Sequence, residues 1–288
     1  MKYTNKYNLP DTLANALQAD PYSKGAAWKS ITQIIGPPQI SHLKSQHYHD
    51  LEEDVSDSVW RLMGSAVHHI LESGDAPNLI TEERLFVDVD GKTISGAIDV
   101  QEIVGQNERV IYDYKVSTKR SLDNVEDKSW ETQLNCYAYL VEQAKQRKVV
   151  GIKVCLILRD FINARAKNDP NYPQCPIQIV DLPLWSPHDQ EQYIRDRIAL
   201  HQEADEGTPV ECTDRDRWFA EGKLAVMRKG GKSAVRGGLY DMDQREEAEE
   251  HAETKPDLYI EERKGSYRRC EGNYCGVNQF CNQWKGKQ

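Results

Sequence analysis

Two short segments, 94–100 and 110–116, alternate larger apolar side chains with smaller or polar ones at a period of two residues. This alternation is typical of β-strands, because a strand points successive side chains to opposite faces of its sheet. Asp113 and Lys115 therefore share one face of the second strand. If the two strands pair, Asp99 can lie beside them. The sequence thus predicts a cluster of two carboxylates and one amine.

This cluster predicts a site for a divalent cation. Carboxylate oxygens suit Mg²⁺ or Mn²⁺, and such an ion can activate water for phosphodiester hydrolysis. The alternative is a solvated Asp-x-Lys pair on an exposed strand face. Taken alone, that alternative is the commoner situation, so the choice between the two depends on the rest of the chain.

Composition sets limits on the class of protein. The 288 residues are 39% hydrophobic and 29% charged, which fits one large domain or two modest ones. The net charge of −9 does not indicate a nucleic-acid binder, so a nuclease would need a local basic surface. Neither a signal peptide nor a membrane-spanning helix is predicted. Seven cysteines without a secretory context indicate reduced thiols in the cytoplasm, some of them bound to a metal.

A helix is predicted over residues 50–72, where apolar residues recur at helical spacing. Gly64, His68 and Glu72 lie one turn apart and share a face of it. Glycine inside a helix costs about 1 kcal/mol relative to alanine, so we expect Gly64 to allow a close approach. His68 is a candidate metal ligand that Glu72 could orient. A histidine that is merely packed or exposed is the alternative.

Three strands follow the helix. A strand at 83–89 leads through an Asp90-Gly91 hairpin turn into the strand of Asp99. A second loop leads into the strand of Asp113. The pattern therefore predicts a three-stranded antiparallel meander.

The next elements complete an α/β sandwich. A helix is predicted over 127–148, in which Gln133 and Tyr137 lie one turn apart and can point at the same ligand. A buried tyrosine beside a surface glutamine is the alternative. The nearly continuous apolar segment 149–158 predicts a strand inside the sheet. A further strand and a helix are predicted at 177–184 and 187–204.

Four short motifs follow one another along these elements: Gly64-x-x-x-His68-x-x-x-Glu72, Gly96-x-x-Asp99, Asp113-x-Lys115 and Gln133-x-x-x-Tyr137. In this order the chain resembles the PD-(D/E)XK nuclease superfamily, and in particular its RecB-like branch. That branch includes the RecB and AddB nuclease domains, CRISPR-adaptation nucleases and many phage proteins. The resemblance covers about residues 40–185. It implies a restriction-endonuclease-like fold, with a central mixed sheet flanked by helices.

The resemblance also implies a metal-dependent exonuclease that acts on DNA ends, in phage-type recombination, repair or replication. His68, Asp99 and Asp113 would bind Mg²⁺ or Mn²⁺ together with the carbonyl of Val116. Lys115 would orient or deprotonate the attacking water and stabilise charge on the phosphate. Asp113 stands where the family often has Glu.

Three further residues receive roles from the same resemblance. Gln133 and Tyr137 would hold the DNA backbone near the scissile phosphate, and Glu72 would support the metal ligands. Recombination or replication proteins are the implied protein partners.

The C-terminal part carries four candidate metal ligands. We place a domain boundary near Gly207, which gives domains 1–207 and 208–288. Cys270, Cys275 and Cys281 form a C-x4-C-x5-C series. The resemblance implies an iron–sulfur cluster held by three clustered cysteines and a distant one, which usually precedes the first motif. Here it does not, and we predict that Cys212 supplies the fourth thiolate. Four cysteines suit either [4Fe–4S] or Zn²⁺, and free thiols are the alternative.

The same part predicts a small α+β module. A hairpin is predicted from strands at 224–228 and 234–240, followed by a helix at 244–252 and a strand at 258–263. Lys229, Lys232 and Arg236 on the hairpin are candidates for contacts with DNA phosphates. Solvated surface charge is the alternative.

Two other functions stay open at this point. One is a nuclease fold that binds DNA or protein without turnover, which is disfavoured because every expected catalytic position is filled. The other is an endonuclease or flap nuclease that uses the same site.

Overall fold

The computed structural model describes residues 1–19, 23–74, 76–126, 129–208 and 210–285. The chain forms two compact units, Met1–Val210 and Glu211–Gln288. The division lies close to the domain boundary predicted near Gly207. Within the described residues, no helix is long and apolar enough to span a lipid bilayer.

The first unit contains the following elements. Its strands are β1 (Lys2–Thr4), β2 (Lys29–Ser30), β3 (Glu52–Asp54), β4 (Leu79–Val89), β5 (Lys92–Ile103), β6 (Glu108–Ser117), β7 (Lys148–Leu158) and β8 (Ile177–Leu182). Its α-helices are α1 (Asp11–Gln18), α2 (Ile31–Ile34), α3 (Pro38–Gln46), α4 (Val59–Glu72), α5 (Lys119–Asp123), α6 (Trp130–Lys145), α7 (Asn163–Asn168) and α8 (Pro187–Asp205).

A six-stranded mixed sheet forms the centre of this unit. β4, β5 and β6 pair antiparallel, as the predicted meander requires. β7 then pairs parallel to β6, and β8 pairs antiparallel to β7. β2 pairs with β5 at Ser95, whereas β6 pairs with β5 from Val100 onward. Residues 96–99 of β5 therefore lie between two ladders, and this is where the predicted metal ligands converge.

Local sequence explains the tight β4–β5 turn. Asp90 and Gly91 both have positive φ angles, of 52° and 75°. A two-residue hairpin turn of this kind requires a left-handed backbone at both positions, which Asp-Gly provides. The hairpin turn predicted there is confirmed.

The helix predicted over 50–72 begins later than expected. Residues 52–54 instead form β3, which pairs parallel to β1. Asp54 ends that strand: one carboxylate oxygen accepts bonds from Thr4 Oγ1 and Lys6 N, and the other accepts one from Ser56 N. A 3₁₀ turn over Val55–Ser58 precedes α4. The spacing of apolar residues does not show that α4 begins at Val59, because the pairing of β3 with β1 is a long-range contact that helical spacing does not encode.

The core lies between the sheet and α6. Leu134, Leu140 and Val141 of α6 are fully buried against sheet residues such as Ile111 and Val154. α8 packs on α6 and contributes the buried Ile194 and Ile198 to the same cluster. A left-handed residue, Gln146, ends α6. Of the predicted helix 127–148, residues 127 and 128 lie outside the described residues.

The second unit has its own three-stranded sheet, ordered β11–β10–β12, covered by one helix. Its elements are β9 (Phe219–Ala220), β10 (Lys223–Arg228), β11 (Ala234–Asp241), α9 (Arg245–Glu253), β12 (Leu258–Arg263), β13 (Ser266–Tyr267), α10 (Arg268–Glu271) and α11 (Asn282–Lys285). The hairpin, helix and strand predicted in this part of the chain are confirmed.

Candidate active site

Asp113 is the most deeply buried carboxylate of the site, with 1% of its surface exposed. Its Oδ2 lies 2.5 Å from Lys115 Nζ, and its Oδ1 lies 3.4 Å from Gln133 Nε2. The contact with Lys115 is an ion pair that lacks hydrogen-bond geometry, since Oδ2 has no hydrogen-bond partner among the described residues. A buried anionic oxygen in this state is costly unless another cation binds it.

Asp99 lies beside Asp113 where the β5–β6 ladder opens. Its Oδ2 accepts a hydrogen bond of 2.8 Å from the Tyr114 amide. Burial, and after it the nearby charge of Asp113, raises the pKa of Asp99 to about 7. Two carboxylates brought together in a dry place resist double ionisation. A divalent cation between them would remove that penalty.

His68 reaches this pair from α4. Its Nδ1 lies 3.4 Å from Asp99 Oδ2 and 3.4 Å from Glu82 Oε1. The hydrogen bond with Glu82 raises the pKa of His68, while burial acts in the opposite direction. One ligand atom from each of His68, Glu82 and Asp99 lies within 4.8 Å of the others. These three residues could therefore share one ion.

Glu82 was not identified from the sequence. It lies on β4 across from Asp99, between the pairs Thr81↔Val100 and Glu83↔Ile98. Its φ angle is 49°, a left-handed value that is uncommon for a side chain inside a strand. The predicted strand starts at residue 83, so Glu82 fell outside it. The only sign of Glu82 in the sequence is an acidic residue just before that strand.

Glu72 does not join the site in the structure. Its side chain is 51% exposed, and its carboxylate lies 3.6 Å from His69 Nδ1. The Glu72 carboxylate thus lies near His69 and solvent, and Glu82 occupies the position beside the His68 imidazole. Val116 follows Lys115 on β6 and pairs with Ile157. Metal binding by its carbonyl stays a prediction.

Gln133 and Tyr137 of α6 form a short chain of contacts that ends at Asp113. Gln133 Nε2 donates to Tyr137 Oη at 2.9 Å, and both side chains are buried. Gly96 allows the tyrosine to approach, because a Cβ there would lie 2.7 Å from Tyr137 Cε1. Contact of these two side chains with the DNA backbone stays a prediction. Their hydrogen bonds also place them where they can position Asp113.

Gly64 does not have the predicted close neighbour. A Cβ built at this position would meet nothing within 4 Å. No described residue makes the close approach predicted for Gly64, whereas Tyr137 approaches Gly96 closely.

A family model for the PD-(D/E)XK nuclease superfamily matches residues 39–282. The chain belongs to this superfamily. The predicted superfamily is thus confirmed, and the central mixed sheet flanked by helices is the fold that the superfamily implies. A member of this superfamily is a nuclease, and imidazole and carboxylate donors of the kind found here suit the divalent ions such nucleases use.

Two solved structures are similar to this nuclease. The protein SSO0001 is 15% identical, with a TM-score of 0.45, over 72% of this chain and 87% of that one. An exonuclease candidate from Eubacterium rectale is 8% identical, with a TM-score of 0.31, over 62% of this chain and 68% of that one. No curated protein matches the chain.

The four C-terminal candidate ligands all lie in the second unit. Cys270, Cys275 and Cys281 are buried, and Cys212 is half-buried. Gln283 fixes the Cys212 backbone: Cys212 N donates to Gln283 Oε1 at 3.0 Å, and Gln283 Nε2 donates to Cys212 O at 2.9 Å. Burial, with the nearby Asp216, Cys281 and Cys275, raises the pKa of Cys212 to about 12.

The predicted basic hairpin is exposed. Lys229, Lys232 and Arg236 all face solvent on and beside the β10–β11 turn. The neighbouring Arg228 pairs with Asp257 at 3.1 Å. No ion pair involving the other three occurs among the described residues. Three uncompensated cations on a chain of net negative charge could contact phosphates.

Proposed function

We propose that this nuclease is a Mg²⁺- or Mn²⁺-dependent deoxyribonuclease that hydrolyses phosphodiester bonds from DNA ends. The observation that carries the proposal is the meeting of Asp99, Asp113 and Lys115, with Lys115 Nζ 2.5 Å from Asp113 Oδ2. His68, Glu82, Asp99 and Asp113 would hold the ion. When bound, the ion lowers the pKa of a coordinated water and polarises the phosphate.

The protein side chains then have distinct tasks in hydrolysis. Lys115 orients the attacking water and donates to a phosphate oxygen, where negative charge builds up. The attacking water gives one proton to solvent as its oxygen forms a bond to phosphorus. The bond from phosphorus to the leaving sugar oxygen breaks, and that oxygen takes a proton from solvent. Gln133 contacts the Asp113 carboxylate and Tyr137 contacts Gln133, so the two side chains together position Asp113. Misplacement of a catalytic group by about 1 Å can cost about 100-fold in rate.

The test compares end-labelled linear DNA with a closed circle, in Mg²⁺, in Mn²⁺ and in chelator. Wild type is measured beside Lys115→Ala and Asp113→Ala. We expect metal-dependent loss of the linear DNA alone, abolished in both variants. Cutting of the circle would indicate an endonuclease or flap nuclease on the same residues. DNA binding by the metal-loaded wild type without cutting would indicate a silent binding module.

We also propose that the nuclease belongs to the RecB-like branch and acts in phage-type recombination, repair or replication. The motifs of His68, Asp99 and Lys115, which meet in space, support this. Recombination or replication proteins are the proposed partners. The seven free thiols fit the reducing cytoplasm of a bacterium or of a phage-infected host.

The second unit is proposed to hold a [4Fe–4S] cluster on Cys212, Cys270, Cys275 and Cys281. Three of these thiols are buried, and Cys275 and Cys281 lie near enough to Cys212 to raise the pKa of its thiol. Four thiolates also suit tetrahedral zinc, which is the alternative. Iron and zinc analysis of protein made without oxygen tests this. Zinc without iron would indicate a structural zinc site instead, and absence of both metals would overturn metal binding by these thiols.

The basic hairpin is proposed to contact DNA phosphates. The variant that tests it replaces three residues by alanine: Lys229, Lys232 and Arg236. We expect weaker DNA binding and a salt dependence whose slope falls by about 0.7 to 0.9 for each phosphate that the variant no longer neutralises. Full affinity with an unchanged slope would remove this assignment.

A further inference from the structure

An exposed aromatic ring stands at the start of α4. Trp60 is 57% exposed, and the guanidinium carbon of Arg159 lies 3.8 Å from its ring centroid. Arg159 is also exposed, and it forms no ion pair with any residue that the structure describes. A large ring facing water and a cation without a counter-ion together form a flat, positively charged surface.

This surface lies at the same end of the sheet as the catalytic lysine. The Arg159 amide donates to the carbonyl of Ser117 at 2.9 Å, and Ser117 is the second residue after Lys115 on β6. α4 supplies Trp60 near its beginning and His68 near its end. At 1.5 Å per residue, the two positions are separated by about 12 Å along the helix axis.

The helix position midway between these two side chains carries no side chain of its own. Trp60, Gly64 and His68 follow one another at intervals of four residues and so share one face of α4. Gly64 lies between the other two, and a Cβ there would meet nothing within 4 Å. Gly64 therefore leaves room for a strand of DNA on this face between the ring and the metal ligands.

We propose that Trp60 and Arg159 bind an unpaired nucleobase of the strand being cut, and that this strand crosses Gly64 to reach the metal site. The inference rests on the proposed nuclease function and names its substrate class, a single-stranded or frayed DNA end. An aromatic ring stacks readily on an unpaired base, whereas a base inside a duplex already has its neighbours. The unpaired guanidinium attracts the adjoining phosphate.

The separation sets where along the strand the base is held. A distance of about 12 Å corresponds to at most about four nucleotides at 3.4 Å each, and to fewer in a more extended single strand. The base on Trp60 therefore lies two to four nucleotides, roughly, from the scissile phosphate.

The first test measures binding in the Lys115→Ala background, which we expect not to cut, by anisotropy of labelled oligonucleotides with Mg²⁺ present. Trp60→Ala should weaken binding of single-stranded DNA about tenfold and leave a blunt duplex within about twofold. Trp60→Phe should keep part of the affinity. Ile70→Ala is the matched control, because Ile70 is 67% exposed on the same helix. Equal losses in Ile70→Ala and Trp60→Ala would overturn the proposal.

A second arm locates the base. In oligonucleotides with one abasic nucleotide at successive positions, a single position should weaken binding to the protein that retains Trp60. The same abasic position should have no further effect on Trp60→Ala, since the two changes remove one interaction. The proposal is overturned if Trp60→Ala binds single strands as tightly as its parent. It is also overturned if the losses of affinity from Trp60→Ala and from the abasic nucleotide add fully at every position.

Gly64→Leu tests the path of the strand. Leucine is a better helix former than glycine, so the melting temperature should not fall. Cutting of single-stranded ends by this variant, with Lys115 intact, should fall more than about tenfold if the strand fills the gap at residue 64. Cutting at the wild-type rate would overturn the path. A protein without nuclease activity can be told apart from a failure of this proposal, because the binding tests need no turnover.

Discussion

Two glycines of the sequence motifs should respond in opposite ways to the same substitution. Gly64 lies inside α4, where a Cβ would meet nothing within 4 Å. Gly96 lies on β5, where a Cβ would stand 2.7 Å from Tyr137 Cε1 and 2.8 Å from Leu140 Cδ1. Both neighbours at Gly96 are buried core side chains. We therefore expect Gly64→Ala to stabilise the first unit and Gly96→Ala to destabilise it.

The magnitudes follow from these surroundings. Alanine in a helix interior is favoured over glycine by about 0.8–1 kcal/mol, and at residue 64 no clash offsets this. At residue 96 the added methyl must displace Tyr137 or Leu140, and overpacking of a core typically costs about 1–3 kcal/mol. The two variants should thus differ by about 2–4 kcal/mol in their free energy of unfolding.

Urea unfolding of the full chain, followed by far-UV circular dichroism in chelator, measures both variants. A gain of about 1 kcal/mol corresponds to a rise of roughly 2–4 °C in melting temperature for a unit of this size. Gly96→Ala should also lose nuclease activity, because displacement of Tyr137 would disturb Gln133 and its contact with Asp113. If Gly64→Ala lost as much stability as Gly96→Ala, α4 would have to pack closely on that face, contrary to the structure.

Three further predictions concern individual side chains. Glu82→Gln should raise the Mn²⁺ concentration needed for half-maximal cutting by about tenfold or more, whereas Glu72→Gln should leave it unchanged. Gln133→Ala should lower the rate of cutting without weakening DNA binding, because Gln133 is buried; equal losses in both would show that it contacts DNA. Burial lowers the pKa of His201 to about 4, so the unfolded chain binds more protons between about pH 4 and 6.5. The free energy of unfolding should rise by roughly 3 kcal/mol across that window, and His201→Gln should flatten the rise in a series of urea titrations.

The central cluster could be predicted because it depends on short-range geometry. The period of two residues placed Asp113 and Lys115 on one side of β6, and strand pairing brought Asp99 to them. The helical period brought His68 onto a face of α4. These relations need only the local rules of strands and helices. They were sufficient to identify the superfamily.

The remainder of the site depends on features that no pattern contains. Glu82 enters through a left-handed residue inside β4, which ordinary strand periodicity does not anticipate. Glu72 shares the helical spacing of His68 but turns toward solvent and His69. The spacing of the motifs does not show whether another side chain closely approaches Gly64 or Gly96. Such outcomes are decided by tertiary packing rather than by spacing.

The bond from the Tyr114 amide to Asp99 gives this nuclease a built-in spectroscopic reporter. That amide hydrogen points at a carboxylate oxygen rather than at a backbone carbonyl of the neighbouring strand. Its chemical shift and its exchange with solvent deuterium therefore follow the state of Asp99 directly. Occupation of the site by an ion can be read at this one backbone position, in the absence of any substrate.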